Sequence, residues 1–348
     1  MKQFLVIFIL LLGLVGCANN TKENEEVQSK TTEAIDTHLD LDKEEERVLT
    51  PQYDSVYFDI LVSDESSMLA LTHFMATEPE LGEHVTYSIQ PYIKGRDPAD
   101  IEVTEETTQV LIIPTSLGAK LYQQGSPYQL LATLSWGNLY LISQEEITLD
   151  DLAGKTITTF EQDSAYDMVF RTILSKNGLL DSVEIEYLDS ESDVYSKFIS
   201  GEAEIALMTE PFISTIKGEI EHVNMIADCQ QQWKELYGEY SYPQVSLFLH
   251  QELIKTHPEI IEPLLAQLEA SVSFANQSID EMIQEANQIG LEISEAIIRD
   301  AVPNLYLMFK TAEEAKEEIE FYLEKLYQFN PELIGNSIPD DDFYHLVN

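Results

Sequence analysis

From Pro51 onward, short apolar runs with strand-like spacing alternate with stretches of helical period, and polar turns separate them. Ser55-Val56-Tyr57-Phe58-Asp59-Ile60-Leu61-Val62 reads as a buried strand, and Met68 to Met75 reads as the helix after it, with Ser66 or Ser67 placed as its N-cap. Further strands are expected at Val85 to Ile89, Val110 to Ile113, Tyr128 to Ser135 and Leu139 to Ser143, with a capped helix over Thr115 to Tyr122. A second unit begins near Glu145. It predicts strands at Gly154 to Phe160, Val183 to Leu188 and Ile205 to Met208. Its helices start at Asp163-Ser164 and at Ser192, and they stop at Asn177-Gly178 and Gly201, where glycine ends a helix at little steric cost. Gln244 to His250 reads as a strand returning to the first unit, and from Pro258 the pattern is mostly amphipathic helix with turn signals at Pro303, Asn330-Pro331 and Pro339. This alternation predicts an α/β fold with largely parallel sheets. A chain of 348 residues exceeds what one hydrophobic core usually serves, so two lobes are expected.

The segment before Pro51 is of another kind. Lys2 precedes an apolar run from Phe4 to Val15, which has signal-peptide length and is short for a permanent span. Leu14-Val15-Gly16-Cys17 resembles the bacterial lipobox, in which small residues precede a cysteine that is diacylated before cleavage. Residues 1–16 are therefore expected to be a lipoprotein signal peptide. Cys17 is expected to become the lipidated first residue, anchoring the chain on the extracytoplasmic face of the cell membrane. In residues 18–50, ten acids stand against Lys22, Lys30, Lys43 and Arg47 without an aromatic residue, so residues 17–50 are expected to form a lipidated, self-repelling tether.

Charge narrows the function classes. With 63 Asp+Glu against 19 Lys+Arg the formal net charge is −44, which leaves no basic face for nucleic acid and has the wrong sign for anionic headgroups. The two cysteines are Cys17 and Cys229, so a lipidated Cys17 leaves no intrachain disulfide, and Cys229 reads as a small packed residue. Beyond the tether the only arginines are Arg96, Arg171 and Arg299, and Arg171 falls on a polar helix face. A sulfonate or phosphate held by arginine forks thus lacks obvious equipment. Either helix N-termini hold an anion, or the ligand is neutral or cationic.

In open α/β sheets the carboxyl ends of strands and the following helix N-termini face one crevice. The hydroxyl residues at such junctions are Ser66, Ser67, Thr115, Ser116 and Ser164, each able to cap a helix, to meet a ligand, or both. Trp136 beside Gly137 is either an apolar platform for ligand or part of the core; Tyr166 lies in a first helical turn, and Glu210 at a strand end before Pro211. No G-x-S-x-G, H-E-x-x-H, P-loop or G-x-G-x-x-G element is present, and no metal or cofactor is expected. His73 reads as a packing or surface residue, since a catalytic base needs a positioned partner.

Leu152-Ala153-Gly154-Lys155-Thr156-Ile157, the helix ending at Asn177-Gly178-Leu179, Val183 to Leu188, Ser200-Gly201-Glu202-Ala203-Glu204-Ile205-Ala206-Leu207 and Thr209-Glu210-Pro211-Phe212 together resemble solute-binding proteins of ABC importers. The branch is that of sulfonate, taurine, nitrate and thiamine-precursor binders. Thr115 to Tyr122 and Trp136 to Leu141 fit as well. The resemblance implies a two-lobed periplasmic-binding-protein-like fold of type 2, with two strands crossing at a hinge and a helical C-terminal part. Crossings are expected near Leu141 to Glu145 and Tyr240 to Gln244. Lobe one is then residues 51–143 with 241–348, and lobe two residues 144–240. It further implies a monomer that traps a small solute and delivers it to ABC permease subunits without covalent chemistry. A sensor, or an enzyme on the same fold, is the alternative.

Overall fold

The computed structural model describes residues 55–90, 108–238 and 240–346. The expected signal peptide, the lipidated Cys17, the tether to residue 50 and Arg96 lie outside the described residues. In chain order the strands are β1 (Val56–Val62), β2 (Val85–Gln90), β3 (Thr108–Pro114), β4 (Tyr128–Trp136), β5 (Leu139–Ser143), β6 (Thr156–Phe160), β7 (Glu184–Leu188), β8 (Ile205–Thr209), β9 (Asn224–Asp228), β10 (Pro243–His250) and β11 (Leu307–Thr311). They form a six-stranded sheet in the order β11-β4-β10-β3-β1-β2 and a five-stranded sheet in the order β7-β6-β8-β5-β9.

Register fixes which ends face which. In the first sheet β1 runs parallel to β2 and β3, and β10 is antiparallel to β3 and β4, with Val245 opposite Pro114 and Pro243 opposite Trp136. The carboxyl ends of β1, β3 and β4 therefore share one end with the start of β10. In the second sheet β6 is parallel to β7 and β8, while β5 is antiparallel to β8 and β9, with Leu139 opposite Thr209 and Tyr140 opposite Asp228. There the carboxyl ends of β6, β7, β8 and β9 gather around the start of β5. The chain joins these two ends directly, through Gly137-Asn138. It returns between the helix Cys229–Tyr237 and β10.

The strands form where the sequence carries apolar β-formers that find cover on both faces. In β4, β5 and β8 nearly every residue is buried. One apolar cluster, with Phe58, Ile60, Leu69, Phe74, Leu264 and Leu268, belongs to the first sheet and its helices. A second runs from Ile113 and Trp136 through Leu141 and Ile157 to Trp233 and Leu323 without a break between the sheets. The helix Ala312–Phe329 is part of that join.

Three features depart from the sequence expectations. Leu139–Ser143, expected to close the first lobe, pairs with β8 and β9 in the second sheet, so the crossing comes earlier, at Gly137-Asn138. The helix expected over Met68 to Met75 is two helices, Glu65–Ala70 and Thr72–Thr77. Ser271 explains the break: its hydroxyl donates to the Ala70 carbonyl at 2.9 Å and accepts from the Phe74 N–H at 3.1 Å, intercepting the bond those two groups would otherwise share. Finally, β9 and β11 are strands that the pattern did not announce; both are five residues long and only partly buried. Among the described residues no helix is long and apolar enough to cross a membrane.

Candidate functional site

The facing strand ends carry the polar side chains of the crevice. After β1 comes Asp64, which caps the helix Glu65–Ala70 in place of the expected Ser66 or Ser67. Its carboxylate accepts from the Ser67 N–H at 2.8 Å and from the hydroxyls of Ser63, Ser66 and Ser67 at 2.9, 2.5 and 2.9 Å. Asp64 wins because an Asx side chain reaches the N–H three residues on, whereas the two serines already lie inside the helix. After β3, the buried Thr115 hydroxyl bonds to Ser246 on β10 at 2.8 Å, and Thr133 of β4 meets the same Ser246 hydroxyl at 3.0 Å. Ser246 of β10 thus ties the helix start after β3 to β4. Ser116 is half-buried in the first turn of Thr115–Gln123, a helix whose N-cap, Pro114, offers no side-chain bond.

Trp136 and Gly137 serve the crossing. Trp136 is fully buried, with its ring under the Lys310 ammonium and its indole N–H donating to the Met308 carbonyl at 2.8 Å. It is core, with no face presented to a solute. Gly137 donates its N–H to the Tyr242 carbonyl at 3.1 Å, and a Cβ there would overlap the Tyr242 ring, so glycine is required by close approach.

On the second sheet, Ser164 caps Ala165–Lys176 by accepting from the Asp167 N–H at 3.2 Å. Tyr166, in that first turn, accepts a hydrogen bond from the Gln244 amide of β10 at 2.6 Å, a direct contact across the crevice. Burial, followed by the charges of Glu191, Asp64 and Glu161, pushes its phenol well above the usual value. Charges from both lobes therefore act on this one phenol. Glu191 accepts from the Thr209 N–H at 2.5 Å and from the Thr209 hydroxyl at 2.9 and 3.0 Å. Burial raises its pKa to about 7 despite those bonds, and the charges of Glu161 and Glu210 add to the rise. Glu210, buried and joined to Pro211 by a cis peptide bond, accepts from the Ser214 N–H at 3.0 Å through one oxygen. Its other carboxylate oxygen has no hydrogen-bond partner among the described residues, and neither does the side-chain oxygen of Asn138. Burial also pushes the Glu210 carboxyl up. Asp228 ends β9, where it accepts from the Gln230 and Gln231 N–H groups at 2.9 and 3.1 Å and from the Tyr306 hydroxyl.

Of the residues proposed from sequence, Ser66, Ser67, Thr115, Ser116, Ser164, Tyr166 and Glu210 stand at the facing strand ends, and Trp136 and Gly137 pack the crossing. Sequence reasoning missed Asp64, Asn138, Glu191 and Gln244. Only Asp64 had a local signal, an Asp three residues before Ser67 at a strand-to-helix turn. Among the described residues no group of three or more His, Cys, Asp or Glu is placed to hold a metal ion. A groove of about 1030 Å³ lies elsewhere, between β2, Met68, Met75 and residues 288–293, and touches none of these candidates.

The NMT1/THI5-like family model matches residues 124–281. That segment carries the crossing, the whole second sheet and the return through β10. No curated protein matches the chain. Solved structures do. An ABC transporter protein from Parabacteroides distasonis superposes with a TM-score of 0.73 at 18% identity, covering 85% of this chain and 100% of its own. The periplasmic aliphatic sulphonate binding protein SsuA from Escherichia coli gives 0.60 at 12%, covering 82% and 95%. The desulfurization enzyme DSZB gives 0.56 at 13%, covering 82% and 96%. The fold is the two-lobed, periplasmic-binding-protein-like α/β arrangement, as the NMT1/THI5-like resemblance implied. The two sheets with their helices are its lobes.

Proposed function

We propose that the chain is a solute-binding protein of an ABC importer that captures a small organic molecule between its lobes and hands it to permease subunits. The observation that carries this reading is the opposition of strand ends across a crossing only Gly137-Asn138 long, bridged by the Tyr166–Gln244 hydrogen bond. A hinge of that kind lets a solute stabilise the closed form. We further propose a monomer held at the extracytoplasmic face of the cell membrane by lipid on Cys17 and an acidic tether.

Because DSZB shares the fold, fold alone does not exclude an enzyme. Two side chains favour a carrier. Burial pushes the Cys229 thiol far above its usual value, which leaves no thiolate for attack. His73 lies away from the strand ends, bonded to Glu285 at 2.9 Å and stacked on Phe274 at 4.0 Å.

Native mass spectrometry of protein purified from its own cells tests the reading. The expected result is a complex with one small molecule, released unchanged on denaturation. A converted molecule, or protein that binds none and does not compact in its presence, overturns it. For the anchor, the intact mature chain should begin at a diacylated Cys17, and Cys17→Ser should release it from the membrane fraction.

A further inference from the structure

Two stretches of chain join the lobes, Gly137-Asn138 and the return that ends at Ser241-Tyr242, and a further element leans on both without belonging to either. It is the strip from Asn304 to Lys310, which leads into β11 at the edge of the first sheet. Every second residue of the strip touches a crossing or the second lobe. The Asn304 carbonyl accepts from the Tyr140 hydroxyl of β5 at 2.6 Å. The Tyr306 carbonyl accepts from the Trp136 N–H at 3.1 Å, and the Met308 carbonyl from the Trp136 indole N–H at 2.8 Å. Lys310 lies 4.6 Å over the Trp136 ring and pairs with Glu318, whose second oxygen accepts from the Ser241 N–H at 2.8 Å. The helix before the strip, Glu295–Ala301, packs on Phe212–Glu219 of the second lobe.

Tyr306 is the centre of the strip. Its φ of 49° lies in the left-handed region, which a bulky side chain adopts at a cost and keeps only where its surroundings hold it. Here they hold it from both lobes. Trp136 fixes its carbonyl, Lys234 of the second lobe lies 5.8 Å from its ring centre, and its hydroxyl donates to the Asp228 carboxylate at the end of β9. A hydrogen bond to a charged acceptor is among the stronger kinds. The other Asp228 oxygen accepts from the Gln230 and Gln231 N–H groups that open Cys229–Tyr237. A displacement of Tyr306 is therefore passed to that helix, which leads into the return. A crossing as short as Gly137-Asn138 leaves the angle between the lobes to contacts of this kind.

We infer that Asn304 to Lys310 is a third, non-covalent connection between the lobes, and that Tyr306, bonded to Asp228, is the positioning residue that sets how far they open. The inference rests on the solute-binding reading and names what governs closure of that site. With the bond made, the strip draws the ends of β5 and β9 toward the edge of the first sheet. Without it, the lobes are held by the two covalent stretches and swing more widely. A solute then has to supply the closing free energy that Tyr306 and Tyr140 otherwise supply in part.

Spin labels measure the opening in protein refolded free of solute. Gln90, at the end of β2, and Ser192, in the first turn of Glu191–Ser200, are exposed at the facing strand ends. Gln90→Cys and Ser192→Cys are labelled in the full chain carrying Cys17→Ser, where the buried Cys229 does not react. Pulsed electron–electron distance measurement should give a wider and longer inter-label distribution in Tyr306→Phe than in the parent. The ratio of long to short distances should rise about tenfold, the scale of one hydrogen bond to a charged group. Tyr140→Phe, which frees the strip at Asn304, should shift the distribution in the same direction by about fivefold. Melting is recorded for each variant, because a residue that only packs lowers the melting temperature and leaves the distances alone. Should Tyr306→Phe fail to fold, Tyr140→Phe carries the test. An unchanged or shorter distribution in the folded variant, with or without a lower melting temperature, overturns the third connection and leaves the solute-binding reading standing. That reading stands or falls on the native mass spectrum, so the two failures are told apart.

Discussion

The two lobes present the same kind of strand end to each other and finish it in opposite ways. On the first lobe the polar side chains are closed among themselves: Asp64 takes three hydroxyls and a backbone N–H, and Ser246 joins Thr115 to Thr133. On the second lobe, Glu191 and Glu210 are pushed toward protonation and Glu210 keeps an unpartnered oxygen. The first rim is closed by hydrogen bonds within itself; the second holds carboxyls raised by burial, one of them with an unpartnered oxygen among the described residues. On the proposed reading, polar residues at equivalent positions of the fold divide into those that stabilise the folded state and those that weaken it in favour of binding.

If that contrast holds, substitutions on the first rim should cost stability and those on the second should cost binding. Asp64→Ala should have the largest effect. It removes a helix cap, worth about 1 kcal/mol, and strands buried hydroxyls at about 1–3 kcal/mol, so chemical denaturation should show a loss of about 2–4 kcal/mol. A loss below about 0.5 kcal/mol, within the usual range for surface changes, would break the comparison. Gly137→Ala, between the rims, forces a methyl against the Tyr242 ring and should cost about 1–3 kcal/mol in the same measurement. Next, Ser246→Ala orphans the Thr115 and Thr133 hydroxyls and should cost about 1–2 kcal/mol without changing solute affinity more than about twofold. Smallest in stability is Glu191→Gln. The Glu191 pKa lies near 7 in the folded protein against an ordinary 4.5, so the folded state binds its proton more tightly. Its contribution is therefore most favourable below pH 4.5 and is lost as pH rises through 7. In solute-free protein, Glu191→Gln should flatten that decline and raise the melting temperature at pH 8 by roughly 1–3 °C. A lower melting temperature at pH 8 would show that Glu191 belongs with the structural rim.

Most of the fold was legible because β3, β4, β5, β8 and β10 are continuous apolar runs bounded by turn residues, and the helix ends at Gly201 and Ser164 have local chemistry. β9 and β11 were not legible, being short segments that pair because neighbouring strands wait for them. The break at Leu71 was hidden for a related reason: Ser271, which causes it, is far away in sequence. The site divides in the same way. Ser164 could be read from its own neighbourhood. Asp64 was masked by the two serines after it. Glu191, Asn138 and Gln244 acquire their places only when β7, the crossing and β10 come together. The Trp136 reading as a platform failed because sequence cannot show that Tyr242, Lys310 and Met308 close around the indole.

The strand order also sets a timetable. Every strand of the second sheet comes from one unbroken stretch, Leu139 to Asp228, so that sheet can assemble as soon as the stretch is available. The first sheet cannot. Its β3 and β4 meet only through β10, and the Thr115–Ser246 contact that fastens them joins residues 131 positions apart. Until β10 arrives, β3 and β4 present open edges, the condition under which β-proteins mispair or aggregate. Slow closure is the ordinary consequence of such distant pairing. The lobe with which the folded chain begins is therefore the last to be completed.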